Sequence, residues 1–244
     1  MGYLSTTISR QVRTNQPGVH PRLEEVVRRH LQHPWQAPLH SSTVEAFGKL
    51  EKIVGKTTSN GIIIDSGCGT GFSTRLISEV FPDSLVIGID RSADRLARTQ
   101  SPSSKIRTDF RTTMLRHEDQ VIWWRAELTT AWRLMQAAGW TLQRHFLLYP
   151  NPYPKYRHLA RRWHGHPVFP QLLDLGGVLE MRTNWSTYAQ EFALAAGWVT
   201  GEPIVAEPVL QAVVTSPFEQ KYARSGHSLY RVRTPGESTT ISSN

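Results

Sequence analysis

Cysteine is nearly missing from this chain. Its single Cys68 among 244 residues has no partner for an internal disulfide and no companions for a cysteine-based zinc site. No apolar run approaches the roughly 20 residues that a membrane helix needs, and the opening "MGYLSTTISRQVR" lacks the apolar core of a signal peptide. A soluble, unexported chain in a reducing cytoplasm is expected, with no membrane partner. The most telling shortage is local: no Asp or Glu occurs between Leu128 and Leu173. Inside that stretch, "LLYPNPYPKYRHLARRWHG" (147–165) passes from an apolar run into Lys155, Arg157, Arg161 and Arg162, with His158, His164 and, just beyond, His166. These histidines have no acidic partner in sequence and no strong ligand spacing, so no metal site is expected.

What is present is positive charge, +8 overall, which suits a polyanionic partner such as nucleic acid. From Gly61 onward apolar runs alternate with helical patterns. The strand-like runs are 61–65, 85–90, 121–124, 145–149, 178–183, 210–215 and 228–233, several of them continuous and β-branched as in parallel strands buried on both faces. Helical patterns between them, one stopped by Pro82 and others ending at Gly139 and Gly197, predict an α/β fold with a doubly wound, seven-stranded, mostly parallel sheet. The domain spans 61–234. Residues 21–60 read as two N-terminal helices, the second capped by Ser41 or Ser42. Residues 1–20 read as a flexible basic N-terminus carrying Arg10 and Arg13, and 235–244 as a disordered tail.

"IIIDSGCGTGFSTRLI" is a strand, a glycine-rich turn and a helix. Gly67, Gly69 and Gly71 give G-x-G-x-G rather than the dinucleotide G-x-G-x-x-G, and no Lys-Ser/Thr follows to make a phosphate loop. The preceding Asp65 would repel a pyrophosphate but suits an amino-acid ammonium, which points to S-adenosylmethionine. Asp90, about 20 residues on at the end of the second strand, is placed to accept from the ribose hydroxyls. Trp123 and Trp124, in the third strand, are expected in the core.

With the fold so placed, "PNPYPKYRH" (150–158), "ARR" (160–162), "LGGVLEMRTNW" (175–185) and "TSPFEQKYARSGH" (215–227) resemble, in one order, the motifs of the tRNA (guanine-N7)-methyltransferase family. The resemblance covers about Gly61 to Arg233 and implies a class I, Rossmann-like methyltransferase. It implies that Asp65, Gly67, Gly69, Gly71 and Asp90 hold the cofactor, with Arg125, Ala126 and Glu127 near the adenine. On the substrate side it implies Asn151 at the catalytic acceptor position, together with Lys155, Arg157, His158, Arg161, Arg162, Asn184, Thr215, Ser216 and Glu219. The implied partner is tRNA, gripped by the basic face at 155–166; the chain itself is expected to be a monomer or weak homodimer.

Two positions depart from the family: Asn151 and Asn184 stand where it has Asp. Guanine N7 carries a free lone pair, so the reaction needs no base, and the amides should slow it and relax guanine discrimination rather than abolish it. The alternatives are an RNA-binding protein that has lost activity, or a methyltransferase for an exocyclic amine or a small molecule. Asn151-Pro152-Tyr153 loosely resembles the acceptor motif of the exocyclic-amine enzymes.

Overall fold

In the computed structural model, which describes residues 9–99, 108–210 and 216–236, the predicted apolar runs assemble into one twisted sheet. In chain order the elements are α1 (Leu23–Gln32), α2 (Ser41–Val54), β1 (Ile62–Ser66), α3 (Phe72–Val80), β2 (Leu85–Asp90), α4 (Ala93–Leu96), β3 (Leu115–Glu118), β4 (Val121–Arg125) and α5 (Leu128–Ala137). There follow β5 (Arg144–Leu148), α6 (Phe169–Leu173), β6 (Val178–Thr183), α7 (Ser186–Thr200), β7 (Ala206–Pro208), α8 (Pro217–Arg224) and β8 (Tyr230–Arg233). The sheet order is β3-β4-β2-β1-β5-β6-β8-β7, with β4, β2, β1, β5 and β6 parallel and β3 and β8 antiparallel to their inner neighbours.

The continuous apolar strands are buried on both faces because helices cover both. Ile63, Val86 and Phe146 pack with Ile77 of α3 on one side, while Ile64, Ile87 and Leu147 belong to the larger core on the other, which α1, α2, α5, α6 and α7 close. Trp123 and Trp124 are fully buried core residues on the two faces.

Eight strands stand where seven were expected. The additional β3, "LRHE", is polar and sits at the sheet edge, where alternation with apolar residues is weak, and it turns into β4 at Asp119 with φ 53°. Of the strand expected at 210–215, residues 211–215 lie outside the described residues, and the strand beside β8 is Ala206–Pro208. Helix α7 runs past Gly197 to Thr200 and ends at Gly201, which adopts φ 77°. Neither Ser41 nor Ser42 caps α2: His40 is the N-cap residue, and the Ser42 hydroxyl bonds the His40 ring instead (3.0 Å).

The N-terminal segment corrects another expectation. Residues 9–20 are tied to the body: Ser9 N–H donates to Ser225 Oγ (2.9 Å), Thr14 Oγ1 to the Pro154 carbonyl (2.6 Å), and Gln16 Nε2 and the His20 N–H both to Glu191 Oε1 (2.6 and 2.8 Å). Polar composition suggested freedom; a buried acid on α7 provides the anchor. Residues 1–8 and 237–244 are outside the described residues.

Candidate active site

Strand order reverses between β1 and β5, and a cavity of about 840 Å³ opens there, outside the carboxyl ends of the strands. Ser66 at the end of β1 and Gly67 just after it, Asp90 at the end of β2, Glu127 after β4, Tyr149 to Tyr153 after β5 and Asn184 after β6 all line it. One cavity therefore joins the glycine loop to the Asn-Pro-Tyr-Pro lip. Its size is in the range of sites that enclose small molecules.

The glycine loop is bare toward open space. Gly67 has φ 76°, and a Cβ there would meet nothing within 4 Å, so backbone is exposed to a ligand's close approach. Gly71 does a different job: a Cβ on it would lie 2.4 Å from the Trp123 ring, so its absence lets α3 sit down on the sheet. The loop's donors are already engaged, since Gly67 and Cys68 N–H go to the Ile89 carbonyl, Gly71 N–H to Cys68 O, and Gly69 N–H to Asp90 Oδ2 (3.0 Å). A pyrophosphate would find few free amides and a carboxylate facing it. A nucleoside bearing an ammonium and a sulfonium fits this chemistry.

The acids divide. Asp90 lines the cavity, accepts from Gly69 N–H and Ser92 N–H, and lies 3.1 Å from the half-exposed Arg95 guanidinium. A carboxylate has about four acceptor sites, and these three partners leave one of them open on the cavity side. Asp65 does not line the cavity. It is buried beneath the loop, accepting from Ser73 Oγ (2.8 Å) and Thr74 Oγ1 (2.6 Å), and burial, only partly offset by those hydroxyls, raises its pKa to about 6. The reason is that strand alternation turns Asp65 toward the α3 face.

Of the expected adenine neighbours, Arg125 turns away, donating to the Phe110 carbonyl (2.9 Å), and Ala126 is buried with its N–H on Asp90 O. Glu127 lines the cavity but also caps α5, accepting from Thr129 and Thr130 N–H. Burial opposes its ionisation, and these bonds outweigh burial and hold its pKa below the usual value.

The lip is strained. Tyr149 (φ 52°) and Tyr153 (φ 44°) are left-handed aromatic residues flanking Pro150-Asn151-Pro152. Asn151 is exposed and lines the cavity, and its Oδ1 accepts from Tyr153 N–H (3.3 Å). A guanidinium holds the far side: Arg162 Nε donates to the Tyr153 carbonyl and Nη2 to the Lys155 carbonyl, each at 3.3 Å.

The basic burst is split by burial. Lys155, Arg157 and Arg161 are exposed and, among the described residues, have no acid partner; Arg161 sits over the Tyr153 ring (6.0 Å). Arg10 and Arg13, on the docked N-terminal segment, and Lys221 and Arg224, at the end of α8, are exposed as well. Arg162, expected to grip phosphate, is 0% exposed and pairs with the equally buried Glu191 (2.6 Å), while His164 donates to the same carboxylate (2.9 Å). His158 is held below the ordinary histidine pKa, first by burial and then by the cations around it, so it contributes no standing charge.

On the remaining side, Asn184 lines the cavity and bonds His227 Nδ1 (3.0 Å). Ser216 is buried as the N-cap of α8, accepting from Glu219 N–H. Glu219 is buried and does not line the cavity; its Oε2 accepts from Arg182 (2.9 Å) and the Tyr149 hydroxyl (3.0 Å). Arg182 also pairs with Glu180, which binds Arg233 (2.7 Å). The free substrate acceptor expected of Glu219 is thus spent on holding Tyr149. Thr215 lies outside the described residues. Tyr149, Phe218 and Tyr222 line the cavity without having been expected there; for the last two, the i, i+4 aromatic spacing was the available signal.

A model of the putative methyltransferase family matches residues 59–232. A tRNA (guanine-N(7)-)-methyltransferase of Pseudomonas paraeruginosa is 32% identical over 102 residues, 38% of this chain and 41% of that protein. A trans-aconitate 2-methyltransferase of Rhodopseudomonas palustris is 51% identical over 47 residues, 18% of each chain. These matches span less than half the length of the curated relatives. The solved structure of an antibiotic related methyltransferase shares the fold, with a TM-score of 0.50 at 15% identity over 82% of this chain and 96% of that one. The family match covers the glycine loop, the lip and the basic burst together, and the chain belongs to the tRNA (guanine-N7)-methyltransferase family of putative methyltransferases.

Proposed function

We propose that this chain transfers a methyl group from S-adenosylmethionine to a nucleobase of structured RNA, guanine N7 in tRNA. The observation that carries this is the single cavity that joins the open glycine loop to the Asn151 lip, with Arg161 in its lining and the exposed Lys155 and Arg157 on the same segment, none of them with an acid partner among the described residues. Asp90, Glu127 and the Gly67–Gly69 backbone would hold the cofactor, which supplies an activated methyl on a positively charged sulfur.

The chemistry asks little of the protein. The N7 lone pair forms the new bond to carbon as the carbon–sulfur bond breaks, and the positive charge passes from sulfur to the base. No proton moves, so positioning and electrostatics do the work. Asn151, at the lip, is a neutral amide where a carboxylate would better stabilise the positive charge that develops on the base. Exposed cations at the rim supply affinity for phosphates without reading the base.

Methylation of an exocyclic amine ranks second. It requires the Asn151 oxygen as an acceptor, and one of that oxygen's two lone pairs already receives Tyr153 N–H. The test is transfer from labelled S-adenosylmethionine to unmodified tRNA, followed by digestion to nucleosides. Label in 7-methylguanosine is expected. Label in a methylated adenosine would favour the second reading, and tRNA binding without label would leave an RNA-binding protein.

A further inference from the structure

Phe218 is half exposed, at 52%, although it lines the same cavity as Asn151, Tyr153 and Asn184. One side of it is built. Its ring stacks on Tyr222 (centroids 6.2 Å apart, planes 26° apart), and Tyr222 stacks on His227 (5.3 Å, 13°). The column is pinned from behind: Tyr222 packs on Tyr149 (5.5 Å), and His227 Nε2 faces the Ser9 carbonyl (3.0 Å). A carbonyl only accepts, so Nε2 carries the proton, and in the neutral ring Nδ1 accepts from the Asn184 amide. An aspartate at 184 has no proton to give, and would need His227 doubly protonated to keep both bonds. The amide therefore suits a neutral stacked ring.

Nothing described covers the outer side of Phe218, whose one ring contact among the described residues is Tyr222. Tyr153, the other aromatic at the lip, has Arg161 over its ring and His158 at its edge. A rigid aromatic column ending in an open ring, beside unpaired cations, matches how single bases are held when drawn from an RNA: a flat π-face for the base and charge for its backbone.

We propose that Phe218 is the stacking platform for the nucleobase entering the acceptor site, backed by Tyr222 and His227, with Asn184 as the positioning residue. This rests on the RNA-methylation reading above. Phe218→Ala and Phe218→Leu are each expected to lower kcat/KM on unmodified tRNA about ten- to a hundredfold, mainly through KM, with Phe218→Trp restoring it. Leu keeps most of the apolar bulk but no ring, so equal kcat/KM in the parent, Leu and Trp forms overturns the proposal. A second arm needs no turnover. Titrated with 7-methylguanosine monophosphate, Phe218→Trp should show fluorescence quenching beyond that of the parent, and no additional quenching overturns the platform. Extra quenching, with no methyl transfer to tRNA by the parent, would leave the platform standing and bring down the RNA-methylation reading.

Discussion

Arg161 and Arg162 are adjacent and carry the same guanidinium, yet one lies at the rim of the cavity in water and the other is sealed in the core against Glu191. The stretch around them contains no acid in sequence, which made both look free. For Arg161 and its neighbours Lys155 and Arg157 that holds in space. For Arg162 the missing acid arrives from α7, and with it Gln16, whose Oε1 accepts from Nη2 (2.9 Å), and the N–H of His20 on the same carboxylate. A run of cations along the chain is thus two devices: an outer set left exposed, which the proposed function assigns to a polyanion, and an inner set that fixes the lip and docks the N-terminal segment.

The comparison is broken most severely from the inside. Arg162→Met or Glu191→Gln leaves a buried charge without its counter-ion and is expected to cost about 3–5 kcal/mol, lowering the unfolding midpoint on the order of 10 °C. The double variant should cost less than the sum of the two, because neither orphan remains. Burial pushes the Glu191 carboxyl up, but His164, Arg162 and the His20 N–H outweigh it and hold its pKa at about 2. A depressed folded value means stability that is present above about 4.5 and lost as pH falls toward 2. The cost of Glu191→Gln, followed by denaturant unfolding, should shrink through that window.

Asp65 sharpens the contrast as a buried carboxylate without a cation. Its folded pKa is raised from 3.8 to about 6, so stability is fully present below 3.8 and lost as pH rises through 6. Asp65→Asn, which keeps an acceptor for Ser73 and Thr74, is expected to stabilise the protein at pH 8 by up to roughly 3 kcal/mol and to have little effect at pH 3.5. Equal effects at the two pH values would contradict the assignment.

A smaller effect is expected at the lip. Asn151→Asp keeps the bond from Tyr153 N–H and adds a negative charge near the base as it becomes cationic. It should raise kcat for methyl transfer about tenfold, read under saturating cofactor and tRNA. Smallest in stability are the rim residues. Arg161→Ala should leave the unfolding free energy within about 0.5 kcal/mol of the parent while weakening tRNA binding.

Much of this was legible in the sequence because it depended on neighbours along the chain. Continuous apolar runs gave the buried parallel strands, and Gly67, Gly69 and Gly71 marked the loop that opens on the cavity. What was not legible depended on partners far away. Asp65 reads as a ligand-facing acid, and only its side of β1 reveals that it serves Ser73 and Thr74. Glu219 reads as a substrate acceptor, and only the fold brings Arg182 and Tyr149 to it. The docking of residues 9–20 was hidden for the same reason, since Glu191 lies in a helix whose own pattern reads as small and apolar. The left-handed turns of Tyr149 and Tyr153 have no signature in residue type at all.

The division between the two sets of cations is tested most directly by tRNA binding as a function of salt, comparing the parent with a Lys155→Ala, Arg157→Ala, Arg161→Ala triple variant. Each lost phosphate contact removes about 0.7–0.9 from the slope of log affinity against log salt. The triple variant is expected to bind more weakly with a slope reduced by about 2 to 3, at unchanged stability. A parent-like slope in the triple variant would contradict the assignment of the exposed rim to RNA.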